Sequence, residues 1–265
     1  MNMIENIEDE GIVAAIEESW WEILQYLAST PWGKTHETRH IKMVFSNLPL
    51  DGVAITNLTK ENVDQSIIEA TQWFSNLTNR FHWLISSIST PKELSKYLEN
   101  HGFQKGESTR AMAINLKELD QTPSIIGLEI NEVDNPDTIP VWSKTFIIGH
   151  GLEAIQEEAS KVFNTVGLGG SAIKYLGLYR SEPVSTSQIF LGGEVARLNF
   201  VATLPSARRK GIGTAISLAA LNKAKEHGYK VAVLYGTEMG YPIYKRLGFK
   251  DICTIEIYRK EITST

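Results

Sequence analysis

Val201-Ala-Thr-Leu-Pro-Ser-Ala-Arg-Arg-Lys-Gly-Ile-Gly-Thr-Ala215 reads as an apolar strand, a short basic turn, and two glycines that open a helix. A helix start leaves backbone N–H groups unpaired and carries about half a positive charge. Glycine lets that backbone approach a bulky anion closely. Arg208, Arg209 and Lys210 add full positive charge at the same place. A phosphate or pyrophosphate is the ligand that fits. Beyond the turn, Ile212, Ala215, Ile216 and Ala219 recur at helical spacing, and Gly228 marks a stop. Lys230-Val-Ala-Val-Leu-Tyr235 then returns as a short buried strand, which completes a βαβ unit.

The turn is neither a Walker loop, which needs G-x-x-x-x-G-K-[ST], nor a dinucleotide fingerprint, because position 216 is isoleucine where a third glycine belongs. What remains is [RQ]-x-x-G-x-[GA]. On its own this pattern also describes a basic surface turn capping an ordinary helix.

The flanks bring a family into view. Asn199-Phe-Val-Ala-Thr203, Arg208-Arg-Lys-Gly-Ile-Gly213 and Met239-Gly-Tyr-Pro-Ile-Tyr-Lys-Arg-Leu-Gly-Phe249 occur in that order. Together they resemble the GNAT superfamily of acetyl-CoA-dependent N-acetyltransferases. The resemblance covers about residues 126–265. It implies that Val201, Ala202 and Thr203 bond the pantetheine arm. It implies that Arg208, Arg209, Lys210, Gly211, Ile212, Gly213 and Thr214 hold the pyrophosphate. It also implies that Tyr244 lies beside the sulfur as general acid, with Glu194 as base at the strand start. No metal is implied. Read without the family, Tyr244 is a core residue of its helix and Glu194 a solvent-facing strand residue.

The chemistry follows from the cosubstrate. An amine attacks the thioester, an oxyanion forms, and a thiolate leaves. Backbone N–H groups stabilise the oxyanion, and an acid such as Tyr244 assists the departing sulfur. A thiolate of pKa about 8.5, by analogy with cysteine, leaves without great help. On a regular strand Arg197, Asn199 and Thr203 share one face, so Arg197 or Asn199 can orient the substrate. Asn199 is taken as the substrate residue.

The chain has 265 residues, 42% hydrophobic and 22% charged, ordinary for a globular protein, with a formal net charge of -5. That balance argues against nucleic-acid binding and mildly favours a cationic amine. The single cysteine, Cys253, excludes an intrachain disulfide and fits a reducing cytoplasm. The acidic start, Met1 to Glu10, lacks the cationic region of a signal peptide. No apolar run reaches the ~20 residues a membrane helix needs. A cytoplasmic protein, monomeric or homodimeric, is expected, with a small-molecule or protein amine as partner.

The expected fold class is α/β, an α+β mixed sheet, in two domains. Residues 125–265 form the GNAT domain, with helices over 137–149 and 151–164, and the Pro-containing stretch Leu119–Ser124 is the connector. Residues 1–120 read as a degenerate GNAT-like repeat that walls the amine cleft. Tyr97-Leu-Glu-Asn-His-Gly-Phe103 superposes on Ile243-Tyr-Lys-Arg-Leu-Gly-Phe249 at the Gly-Phe pair, which puts Leu98 at the tyrosine position. The corresponding loop, Asn57-Leu-Thr-Lys60, has no glycine and one cation. His36-Glu-Thr-Arg-His40 fits H-E-x-x-H, but Pro31, Gly33 and Thr38 speak against a helix, so it reads as a polar loop. Trp20 and Trp21 belong to an amphipathic core or interface helix.

An N-acetyltransferase is the leading reading. A non-catalytic acetyl-CoA-binding module and an acyltransferase using another acyl-CoA are the alternatives.

Overall fold

The computed structural model describes residues 3–119 and 124–262. Asp120–Pro123, most of the expected connector, lie outside the described residues.

The N-terminal half contains α1 (Ile12–Leu27), β1 (Lys34–Glu37), β2 (Ile41–Phe45), β3 (Gly52–Thr56), α2 (Val63–Ser75), β4 (Arg80–Ile85), α3 (Leu94–Asn100), β5 (Gln104–Lys105) and β6 (Thr109–Asn115). The C-terminal half contains β7 (Leu128–Glu132), α4 (Ile139–His150), α5 (Gln156–Val166), β8 (Ala172–Tyr179), β9 (Glu182–Phe190), β10 (Ala196–Thr203), α6 (Ile212–Glu226), β11 (Val231–Gly236), α7 (Tyr241–Arg246) and β12 (Lys250–Glu261). The strands form one mixed sheet in the order β1-β2-β3-β4-β12-β6-β11-β10-β9-β8-β7, with β5 also paired to β12. β3 runs parallel to β4, and β10 runs parallel to β11.

Alternation along the central strands decides which helices lie on which face. Met112 and Ile114 of β6, with Ala232 and Leu234 of β11, pack under α6 and α7. Their neighbours Ala111, Ala113, Val231 and Val233 face the other way and meet Ile12, Ala15 and Ile16 of α1. Helix α1 therefore crosses the sheet face, and Trp21 and Leu24 reach Val44 and Ala54 of the N-terminal half. The expectation that this helix is core and interface is met. In β4, Phe81 and Trp83 face α2 and α3.

Gly149 lies inside α4 rather than in the turn after it, and Gly151, with φ 69°, ends the helix. A Cβ at Gly149 would sit 2.8 Å from the Ala202 Cβ, so glycine lets α4 rest directly on β10.

The halves exchange strands. β6 lies between β11 and β12, inside the C-terminal half. β12 pairs with β6 over Lys250–Ile255, and then with β4 over Glu256–Glu261 and with β5 at Tyr258 and Arg259. The expected connector follows β6, but the sheet runs across that point.

The H-E-x-x-H segment is not the loop expected. Residues 34–37 are strand β1, so His36 and His40 share no helix face. His40 bonds the Asn57 carbonyl at 3.0 Å, and His36 lies beside Trp73.

Candidate active site

β10 and β11 pair only at Ala196–Ala232 and Arg197–Val233, although they continue to Thr203 and Gly236. Past Arg197 the two strands part. On its other edge β10 stays with β9, but the register slips between Asn199 and Ala202. Phe200, at the slip, has φ 49°, the left-handed conformation of a bulge. The Thr186 hydroxyl donates to the Phe200 carbonyl at 2.9 Å, and the His150 ring lies 3.0 Å from the Val201 carbonyl. The bulge breaks the regular alternation expected from the sequence. Arg197 and Asn199 share a face, and Thr203 is not on it by simple periodicity.

After Thr203 a single 3-10 turn, Pro205–Ala207, leads to Gly211, whose φ of 78° requires the left-handed region at the start of α6. No acidic residue lies in the first turn of α6, so its N–H groups face no competing carboxylate there. Gly213 is hemmed in by Ile243 and Thr203, at 3.4 and 3.5 Å from where a Cβ would be. Ile212 is buried with Val184 and Ala207, so it offers only backbone to a ligand. Thr214 is half-buried.

The cations of the loop divide in role. Arg208 donates from Nε to the Thr203 carbonyl at 3.1 Å and from Nη2 to the Gly149 carbonyl at 2.9 Å. It fastens the loop to β10 and α4, which differs from the expected phosphate contact. Lys210 donates to the Ser206 carbonyl and stands over the Tyr179 ring. Arg209 is exposed, with φ 62°.

The parted strands open on a cavity of about 1000 Å³. Asn199, Phe200, Val201, Tyr235 and Tyr244 line one end, and α4 and α5 contribute Phe146 and Phe163. The N-terminal half supplies Trp20, Leu24, Leu50, Val53, His82 and Leu84. The Asp51 carboxylate holds the 46–51 turn of this wall by accepting from Ser46 and Asn47.

Tyr244 is 8% exposed and packs on Phe249. Burial pushes its phenol above the usual tyrosine range, so it stays protonated as an O–H donor. The His82 imidazole is held below its usual value, first by desolvation. It is therefore neutral at pH 7 and able to take a proton.

Ala202, Thr203, Arg208–Thr214 and Glu194 are not among the cavity-lining residues. The loop lies beyond the cavity, as a long ligand would require. Ala202 is buried against α4. Glu194 precedes β10, and its carbonyl accepts from the Ile4 N–H at 3.1 Å. The sequence expectation of a base at Glu194 does not match this placement. The carboxylates that do line the cavity are Glu107 and Glu238, which carry no motif, and His82 is legible only as the polar step between Phe81 and Trp83.

Residues 193–252 match the family model of the acetyltransferase (GNAT) domain. The fold of the chain is the GNAT fold. A GCN5-related N-acetyltransferase from Kribbella flavida shares the GNAT fold at a TM-score of 0.72 and 16% identity, over 93% of this chain and 95% of that one. A tandem GNAT protein from the clavulanic acid biosynthesis pathway, solved without AcCoA, aligns over 98% of both chains at a TM-score of 0.64 and 11% identity. A GCN5-related N-acetyltransferase from Sphaerobacter thermophilus aligns over 95% of this chain and 91% of that one, at a TM-score of 0.62 and 13% identity. A search of curated proteins found no sequence match. The tandem alignment spans both halves, and the N-terminal half repeats the β-α-β order of the GNAT domain in β3-α2-β4. Among the described residues, no helix is long and apolar enough to cross a membrane, and no group of three or more His, Cys, Asp or Glu is placed to hold a metal ion.

Proposed function

We propose that the protein transfers the acetyl group of acetyl-CoA to a primary amine by direct attack. The observation that carries this is continuity. The glycine loop at the start of α6 leads along the parted β10 and β11 to a cavity of about 1000 Å³ lined by Tyr244. The loop N–H groups and Arg209 take the pyrophosphate. Pantetheine lies between the parted strands and bonds the unpaired edge of β10 near Val201. Tyr244 donates its O–H to the departing sulfur. The raised phenol pKa makes this a hydrogen bond more than a full proton transfer until the thiolate charge develops. His82, from the other half, accepts the amine proton directly or through water. The half-buried Cys253 thiol suits a reducing compartment such as the cytoplasm.

The test is the full chain with acetyl-CoA and a panel of primary amines, read by release of free thiol. Tight coenzyme A binding with no thiol release from any amine overturns the enzyme reading in favour of a binding module. Faster turnover with propionyl- or succinyl-CoA than with acetyl-CoA overturns the choice of donor.

A further inference from the structure

The cavity wall holds a cation with no counter-charge. Arg197 sits at the last paired position before β10 and β11 separate, and it is fully buried. Its guanidinium lies between two rings that also line the cavity, 4.9 Å from the Trp20 centroid and 4.1 Å from that of Tyr235. Nε donates to the Asn199 side chain at 3.3 Å, and Nη1 donates to the Ile16 carbonyl and the Ser19 hydroxyl at 3.2 and 3.1 Å. Nη2 has no partner, and neither has the buried indole N–H of Trp20 beside it. Among the described residues, no carboxylate lies within ion-pair distance of Arg197.

A guanidinium has five N–H donors and stays charged, so a buried one is costly when part of it is left unsatisfied. The flanking aromatic faces and the Tyr235 side chain offset some of that cost, but Nη2 is left without an acceptor. Desolvation holds the Arg197 pKa down to about 10, still well above neutrality. The acceptor oxygen that the fold omits would have to arrive with a ligand. The wall also has a broad apolar part, Leu24, Leu50, Val53, Leu84, Ile255 and Ile257, alongside the polar His82, Glu107, Arg110 and Glu238.

We infer that Arg197, with the Trp20 indole N–H, is the receptor for a carboxylate on the acceptor, and that the acceptor is an amino acid with an apolar side chain. This rests on the amine-acetylation reading and narrows it. The carboxylate docks at the point where the strands diverge, which holds an amine one or two carbons away close to the thioester end of the channel. The hydrocarbon part lies against the wall from the N-terminal half. The overall negative charge of the chain favours a cationic amine, and the unpaired local cation outweighs it because Coulomb forces at buried contact exceed screened long-range ones.

The experiment compares matched acceptors on the full chain: phenylalanine, phenylalaninamide and phenethylamine, then leucine, leucinamide and isoamylamine. The free acids are expected to exceed their amides and amines in kcat/KM by about 10- to 100-fold, the range set by a charge-assisted hydrogen-bonded contact. Arg197→Gln should bring that ratio to within about threefold while coenzyme A affinity holds. Arg197 is packed under α1, so Trp20→Phe serves as a second variant that keeps a ring and removes one donor. It should lower the ratio by about three- to tenfold. Amides or amines accepted as well as acids, or a ratio unchanged in both variants, overturn the inference.

A binding arm separates it from the catalytic reading. N-acetylphenylalanine and its amide are titrated into the full chain saturated with coenzyme A. Preferential binding of the acid without any turnover sinks the proposed function and leaves the receptor standing. Equal binding of the two, or binding of neither, sinks the receptor whatever the turnover.

Discussion

Each half of the molecule has a turn that joins a strand to a helix across a parallel strand pair, and the two turns differ in what they leave open. In the C-terminal half the turn from Thr203 to Ile212 contains Gly211 and has no acidic residue in the first helical turn. In the N-terminal half the turn from Thr56 to Val63 supplies its own partners. The Thr59 N–H donates to the Asn62 side chain at 2.8 Å, the Val63 N–H to the Thr59 carbonyl, and the Leu58 N–H to the Thr90 carbonyl. Asp64 lies in the first turn of α2, and Glu93 pairs with Lys60 at 3.4 Å. The strands beside the turns differ in the same way. β3 and β4 also pair at only two positions, but Thr90 bridges Asn57 next to β3 and the Trp83 indole donates to the Thr56 hydroxyl at 2.9 Å, contacts that fill the space beyond the pairing. An anion site is lost once its donors are satisfied internally and carboxylates stand at its mouth.

This contrast can be broken at matched positions. The largest effect is expected at Leu98, which the Gly-Phe alignment sets opposite Tyr244 and which is fully buried among Phe74, Phe81 and Trp83. Leu98→Ala should cost about 2–5 kcal/mol of stability by denaturant unfolding, with coenzyme A affinity of the folded protein unchanged. Next is Gly211→Asp, which places a carboxylate where the pyrophosphate belongs. Calorimetry should show coenzyme A binding weakened about 100-fold, equivalent to about 2.7 kcal/mol. Lys60→Asp, at the corresponding turn of the first half, should leave affinity within about twofold. A large loss there would mean that the first turn still holds an anion.

Tyr244→Phe should lower turnover by about 10- to 100-fold, at the low end of general-acid effects because a thiolate leaves readily. Cofactor affinity should barely move, and equal losses in both would make Tyr244 a binding contact. The smallest expected effect is on stability and concerns His82. Its folded pKa lies below the unfolded value because burial favours the neutral ring, so the unfolded chain takes up a proton first as pH falls. Stability should therefore decline below about pH 6.5, the ordinary histidine pKa, and the melting temperature of His82→Gln should fall less steeply there. With His82 as proton acceptor, acetyl transfer by the native protein should fall at a lower pH, through the depressed pKa of the folded ring.

Much of this was legible in the chain. The helical spacing from Ile212 to Ala219 gave α6, the Gly211-Ile-Gly213 step gave its start, and Gly248-Phe249 gave the end of α7. Local pattern sufficed because each signal spans only a turn or two. The bulge at Phe200 was not legible, since the left-handed backbone there sits at a phenylalanine and is held by Thr186 from the next strand. Nor was the work of Arg208, whose partners are carbonyls on two other elements. Glu194 looked like the start of the strand, but β10 begins at Ala196 and the cavity opens further along it. His82 and Arg197 meet the cavity only because α1 brings Trp20 across the sheet, a long-range event that no short window contains.

β12 gives its first residues to one half and its last to the other, while β6 is wedged into the half it does not belong to by sequence. Cleavage in the connector should therefore leave two fragments that cling together under native conditions and melt in one transition. Deleting the chain beyond Ile255 would strip β4 and β5 of their hydrogen-bonding neighbour and bare a raw sheet edge, an invitation to aggregate. The N-terminal half thus cannot be trimmed away, because the other half borrows a strand from it.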